Sequence, residues 1–475
     1  MLQIKRFHPA LFICAAALVM MFNGCSNSCS DKISEIHLSN PDGNVLKIQV
    51  DVETTESLDV AVKYWQVGSE KNISTTPVSS DKKNHRIILT NLKPQRKYGY
   101  RIVTSNEKCS SVSKDYSFST LDFPMWLKGM FKVICPDTTV VPKNFYEGYN
   151  LVFRRETPGI LFFLNFGGEV KWYHQVNGTG FKVAHFTKDN TIIALLGTED
   201  YQTSYGNEIM EVTLNGDTVF HLKKGQGDFK QTIHHEVLLN DQNQVVTICC
   251  EERVLDLRSK GGKVADTVKS DGILVMDKTG KQIWKWTVFD TLNPLDDKNI
   301  IKDKSDWMHA NCLNYDTDGN YLLSFYNNGQ IWKIDVKTGK VLWKFGKDGD
   351  FKMPANGIFD NSHAVHINAH NQLMLFDNGT SKQLSRTLAF RLDEQNKKAT
   401  LELNIPLPGE LYSERMGSAY FVSDSTVLNS CSKKNIAVLT NLEGRYLWVI
   451  RTGFMPYRME FIPAERLAPY IQAFR

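Results

Sequence analysis

Three histidines of this 475-residue chain occupy matching places in a recurring strand–turn–strand pattern. His235 and His363 each stand eight residues ahead of the asparagine of the following turn (Asn243 and Asn371), and His309 stands ten ahead of Gly319. One histidine at a strand start is ordinarily structural, but three at equivalent positions are poorly explained by packing, which favours apolar or small side chains there. Converging imidazoles suit nucleophilic and acid–base work, because a pKa near about 6.5 makes both protonation forms available. They would also suit a metal ion. No Asp or Glu occupies the matching positions, although Asp306 is close to His309, so neither a metal nor a cofactor is expected.

A repeat would bring these residues together. Six copies of an apolar strand, a tight Gly or Asn turn and a second strand often ending in Trp begin at Gly159, Asn207, Gly272, Gly329, Thr387 and Asn435. Their turns recur at intervals of about 48 to 64 residues, as four-stranded propeller blades do. A second hairpin precedes five of the copies, which argues against unrelated hairpins. The blade that holds the first copy starts at Leu151-Val-Phe with no earlier strand, so its innermost strand is expected from Met459-Glu-Phe-Ile-Pro near the C-terminus, closing the ring and removing exposed edges. The fold class expected is all-β, with a six-bladed β-propeller over residues 145–475. Equivalent positions of its innermost strands would share one central funnel.

Residues 1–24 read as a lipoprotein-type signal peptide. Lys5 and Arg6 form the basic region, Leu11 to Phe22 the apolar run, and a small residue precedes Cys25, the expected lipidation site. The run is too short to span a bilayer stably, so the membrane is reached through the lipid anchor. Ser26 offers no inner-membrane retention signal of the aspartate type, which favours the outer membrane, with the body in the periplasm or at the cell surface. Residues 30–121 alternate apolar and polar positions, and Leu92-Lys-Pro-Gln-Arg-Lys-Tyr-Gly-Tyr resembles the fibronectin type III signature; a fibronectin III/Ig-like β-sandwich is expected, with 122–144 as a linker. Charged residues make up 23% and the net charge of +4 is not gathered into basic runs, which argues against nucleic acid as a partner. Seven of the nine cysteines lie beyond Cys14 and Cys25, and buried thiols are expected for most of them.

The motifs Asp306-Trp-Met-His309-Ala-Asn311, the His363 strand running into Phe376-Asp-Asn-Gly379 and Ser385-Arg386, and His234-His235 together resemble the bacterial aryl-sulfate sulfotransferases that work without the nucleotide sulfate donor. The resemblance covers roughly residues 145–460 and implies a six-bladed propeller, a small-molecule aryl sulfate donor and a phenol acceptor. It implies that His363 is the nucleophile and carries a sulfohistidine, that His235 and His309 bind sulfonate oxygens or shuttle protons, and that Asn311 adds a donor. One departure stands out. Where family members carry a Ser-Arg pair after the Asp-Trp-x-His motif, this chain reads Ser324-Phe325-Tyr326, and Lys182 or Arg415 is the expected replacement for the arginine. Tyr457-Arg458 resembles the family's C-terminal Tyr-Arg pair and is expected at the funnel; Tyr201 and Tyr205 lie on a loop that could stack on an aromatic substrate. Asp377-Asn378-Gly379 reads as shaping the strand exit. The missing arginine supports an alternative, a non-catalytic propeller lipoprotein binding a sulfated or aromatic ligand or a partner protein. Only catalysis needs His363 in particular.

Overall fold

The alternation between residues 30 and 121 becomes seven strands arranged around one of them, Ile48–Gln66. The computed structural model describes residues 28–40, 43–136, 139–201, 204–468 and 470, in two compact units, Met1–Phe123 and Pro124–Arg475. The leader, Cys25 included, lies outside the described residues. In the first unit the early half of Ile48–Gln66 pairs with Ile33–Ser39 and Ser79–Leu89, and the later half with Ser74–Thr75 and Lys97–Ser105. Val50, Val52, Leu58, Val60, Val62 and Tyr64 all face the core, as a two-residue period demands. The N-terminal strands expected from the sequence are present, hydrogen-bonded into one continuous ladder through Ile48–Gln66.

Cys29 and Cys109 are joined by a disulfide across 80 residues, a pairing the sequence reading leaves open. Breaking it is expected to destabilise the N-terminal unit by about 2–5 kcal/mol, since the bridge restricts a long loop in the unfolded chain. The propeller thiols Cys249, Cys250, Cys312 and Cys431 are unpaired, so calorimetry with and without reductant should move one transition and leave the other.

The second unit is six antiparallel blades. The first, Tyr149–Arg154, Gly159–Leu164 and Val170–Val176, receives its innermost strand from Glu460–Ile462, with Glu460 opposite Leu151. The ring therefore closes as the repeat pattern predicts. The stretch expected as a linker is partly structural: Phe131–Pro136 adds a fifth strand to the outer edge of the last blade, against Tyr446–Thr452. The third blade gains Tyr205–Gly206 on its inner edge, beside Ile233–Leu239. The strand-ending tryptophans tie neighbouring blades together. Trp172 donates to the Leu214 carbonyl at 2.7 Å and Trp448 to that of Phe166 at 2.9 Å, so each indole fills the gap between blades and satisfies its one donor.

Candidate active site

The innermost strands do not run straight where they reach the axis. Their pairing skips between Phe181 and Val183, His234 and Val237, Ala310 and Cys312, and His363 and His366. The neighbouring φ angles are positive at non-glycine residues: 60° at His235, 80° at Met308, 55° at His309, 52° at Ala364 and 61° at Met416. A bulge re-aims the side chains around it, and a left-handed L-residue costs of order 1–3 kcal/mol, which the surrounding packing must hold in place. Five such residues around one mouth mark it as a place where geometry outranks stability.

His363 opens its strand and is 3% exposed. Its Nδ1 lies 2.7 Å from Asn378 Oδ1. The orientation of that amide is settled by its other end, because Asn378 Nδ2 donates to the carbonyls of Ser413 at 2.6 Å and Met416 at 2.8 Å. Oδ1 can only accept, so His363 carries its proton on Nδ1 and presents a lone pair on Nε2. The Met416 N–H donates to that lone pair at a long 3.3 Å. Burial depresses the His363 pKa to about 3, against the opposing bond to Asn378. The ring is thus neutral at any physiological pH, with the tautomer a nucleophile needs.

His235 is oriented from behind. Its Nδ1 lies 2.8 Å from His234 Nδ1, and His234 Nε2 lies 3.2 Å from Asp271 Oδ1. Burial alone would lower the His234 pKa, but the facing Cys250 thiol and Asp271 carboxylate raise it to about 10, so His234 is an imidazolium. Burial and then the charges of His309 and His234 push His235 well below its ordinary value. His234 therefore donates and His235 accepts on Nδ1, leaving an Nε2–H donor on the other edge of the His235 ring. The third histidine, His309, packs against His235 with ring centroids 4.9 Å apart, and its Nδ1 lies 2.7 Å from Asp306 Oδ2. Tyr326 stands 5.5 Å from the His309 ring and 5.5 Å from the His363 ring. Tyr457, fully buried, lies 6.2 Å from His235 and 6.5 Å from His363.

The structure thus gathers His235, His309, His363, Tyr326 and Tyr457 in one cluster. It treats other candidates differently. Asn311 is fully buried and gives one of its two Nδ2 hydrogens to the Ser362 carbonyl at 2.7 Å. Arg415 is largely exposed, with Glu414 3.8 Å away. Lys182 is 5% exposed on the innermost strand of the second blade. Ser385-Arg386 serves the fold: Arg386 binds Asp377 at 2.8 Å and the carbonyls of Asn356 and Ile358. Arg458 does reach the channel, but it is neutralised by Glu236 at 2.7 Å, which also holds His185 at 2.5 Å. Asn378 is the residue the sequence reading missed. Its Asp-Asn-Gly setting reads as shaping a strand exit, and it lies fifteen residues beyond His363, a separation that signals no contact. Beside the cluster, a cavity of about 500 Å³ is lined by Asp200, Tyr201, Tyr205, Cys250, Asp271 and Asp306.

These environments have opposite pH signatures. His363 and His366, depressed to about 3 and 4 from 6.5, and His235 contribute stability that is present above 6.5 and lost as pH falls through their folded values. For His185 burial opposes charging, yet Glu236 and Glu460 raise it to about 9; His185 and His234 contribute stability present below 6.5 and lost as pH rises through about 9 and 10. Melting temperature is therefore expected to peak near neutrality and fall on both flanks, which a pH series of thermal scans checks.

A β-propeller axis that carries one buried neutral imidazole, one imidazole donor and a carboxylate–imidazole pair holds the groups that nucleophilic and acid–base chemistry require. Residues 137–444, well over half of the chain, match the arylsulfotransferase (ASST) family, and the chain belongs to it. No curated protein sequence matches. Among solved structures, a Bacteroides caccae protein of unknown function is 11% identical with a TM-score of 0.43, covering 66% of this chain and 98% of its own. Virginiamycin B lyase from Staphylococcus aureus is 9% identical with a TM-score of 0.35, covering 70% of this chain and 88% of its own. Likenesses this distant carry no weight beside the blade pairing itself.

Proposed function

We propose that this protein moves a sulfuryl group from an aryl sulfate to a phenol through a sulfohistidine on His363. The observation that carries this reading is the amide of Asn378, anchored at one end by two carbonyls and receiving the His363 Nδ1 proton at the other. In the first half-reaction His363 Nε2 attacks sulfur, the S–O bond to the aryl group breaks, and His309, oriented by Asp306, gives a proton to the leaving phenolate. In the second half the acceptor phenol returns a proton to His309, its oxygen attacks sulfur, and the N–S bond breaks. His235 Nε2–H meets a sulfonate oxygen, and the Met416 N–H, released from Nε2 when the N–S bond forms, is free to meet another. Tyr326, edge-on to both His309 and His363, offers the aryl ring a wall. We further propose that the chain is exported and lipid-anchored at Cys25 in the outer membrane, with the N-terminal unit acting as a fibronectin III-like spacer; both readings rest on sequence.

The test is to incubate the protein with a chromogenic aryl sulfate, with and without a phenol acceptor, beside His363→Ala. Acceptor-dependent release, lost in the variant, together with one added sulfuryl mass on the intact protein in the absence of acceptor, is the expected result. Absence of both across several donors would leave the binding reading, with Tyr326 in place of the family arginine as its cause.

A further inference from the structure

The nucleophile of this structure is closed off. His363 is 3% exposed, and the lone pair that its neutral ring presents on Nε2 already faces the Met416 N–H at 3.3 Å. A hydrogen bond to Nε2 lies along the same lone pair that attack on sulfur requires, so the amide must turn away before a donor can react. The cap belongs to a single peptide unit. Its other end, the Arg415 carbonyl, accepts from Ser413 Oγ at 3.0 Å, and the carbonyl before it, of Glu414, accepts from the Tyr326 hydroxyl at 3.1 Å. Burial holds that hydroxyl above its ordinary pKa, so it stays a donor through the physiological range.

Both hydroxyls work from fixed ground. The Tyr326 N–H donates to the His309 carbonyl at 2.9 Å and its carbonyl accepts from Asn361 Nδ2 at 2.9 Å, while the Ser413 N–H donates to Ser385 Oγ at 3.0 Å. Between them the stretch Glu414–Met416 can turn. Met416 sits at φ 61° and is followed by Gly417 at φ 107°, so reversing the Arg415–Met416 peptide would carry Met416 out of the left-handed region, which costs an L-residue free energy. The Met416 carbonyl lies on the far side of its Cα and could stay with Asn378 Nδ2 at 2.8 Å. Such a reversal swings one oxygen and one hydrogen and leaves the flanking Cα atoms nearly in place. On the outer side, Glu414 and Arg415 are 53% and 57% exposed, and their ion pairs, with each other at 3.8 Å and from Lys433 to Glu414 at 3.4 Å, are surface contacts that hold little. The two hydroxyl bonds are therefore what keeps the cap shut.

We infer that Glu414–Met416 is an autoinhibitory strap that caps His363 in the resting protein and opens by reversal of the Arg415–Met416 peptide, with Ser413 Oγ and the Tyr326 hydroxyl as its two latches. The inference deepens the sulfuryl-transfer reading and rests on it for the role of His363. A donor that binds only the open form has its apparent dissociation constant raised by the reciprocal of the open fraction. Removing one neutral latch shifts that balance by about two- to tenfold.

The experiment compares the full chain in detergent with Ser413→Ala and Tyr326→Phe, each of which deletes one hydroxyl and leaves the rest of the side chain. Three readouts are taken: deuterium uptake at the Met416 amide, carbethoxylation of His363 by diethyl pyrocarbonate located by peptide mass, and the phenol burst from 4-nitrophenyl sulfate. Uptake and His363 labelling are each expected to rise by about two- to tenfold in both variants, with labelling of the exposed His37 unchanged. The donor concentration that half-saturates the burst is expected to fall by a similar factor, whereas a site merely loosened would raise it. If one variant fails to fold, the other carries the same readouts. Unchanged uptake and labelling would overturn the strap, and so would faster labelling with a half-saturating concentration that stays or rises. Faster uptake and labelling in a chain that turns over no aryl sulfate would keep the strap and remove the transfer.

Discussion

Asn378→Leu is expected to slow aryl sulfate turnover by about 10²–10⁴-fold, approaching the loss in His363→Ala, although Asn378 touches no substrate. The reason is the tautomer. With Oδ1 accepting at 2.7 Å, the Nδ1–H form is favoured and the lone pair is on Nε2; leucine removes the only side-chain acceptor holding it there. A buried imidazole without that bond is free to carry its proton on Nε2, where it blocks attack. The amide also holds the Ser413 and Met416 carbonyls, so loosening of that loop is a competing cause of any loss. Asn378→Asp separates the two. It surrenders the same two donors but restores an acceptor, and its charge would raise a His363 pKa that now lies near 3. The wild-type first half-reaction, followed as the burst of phenol released, is expected to lose nothing to His363 protonation between about pH 5 and pH 8, whereas Asn378→Asp should recover part of the rate and show an acid limb inside that range. Turnover within a few-fold of wild type in Asn378→Leu would show that the amide does not govern the nucleophile.

How much of this could be read from the residues alone depended on whether a repeat carried it. The blades were legible because each rebuilds the same alternating strands, and the closing strand was legible because one copy lacked a partner for Leu151. The histidines were legible because propeller symmetry turns equal register into nearness. Asn378 had no such help. It acts from just beyond a strand end, where the chain's path is decided by contacts with other blades. The partner of Asn311 was hidden for a related reason. The skip between Ala310 and Cys312 breaks the alternation, and the side chain donates to the Ser362 carbonyl. In the first unit, alternation located the strands, but one 19-residue strand serving two sets of partners is a property of its length and bulges that a period of two does not reveal.

Loss of the His309 imidazole should be felt in proportion to the basicity of the departing phenolate. A group that leaves readily needs little protonation in the transition state, whereas an unactivated phenolate needs nearly all of it. With 4-nitrophenyl sulfate as donor, His309→Gln is therefore expected to slow the first half-reaction by about tenfold or less, and with phenyl sulfate by about 10²–10⁴-fold. Asp306→Asn should fall between these and wild type, because it keeps a polar partner 2.7 Å from Nδ1 but removes the charge that steadies the imidazolium. The acceptor step mirrors this: weakly acidic phenols, which cannot shed their proton unaided, should suffer most. Burst rates across a series of substituted phenyl sulfates give the slope of log rate against leaving-group pKa, and that slope should steepen in His309→Gln. An unchanged slope with a uniform loss would place His309 among the groups that hold the sulfonate, beside His235, and leave the proton to be carried by water.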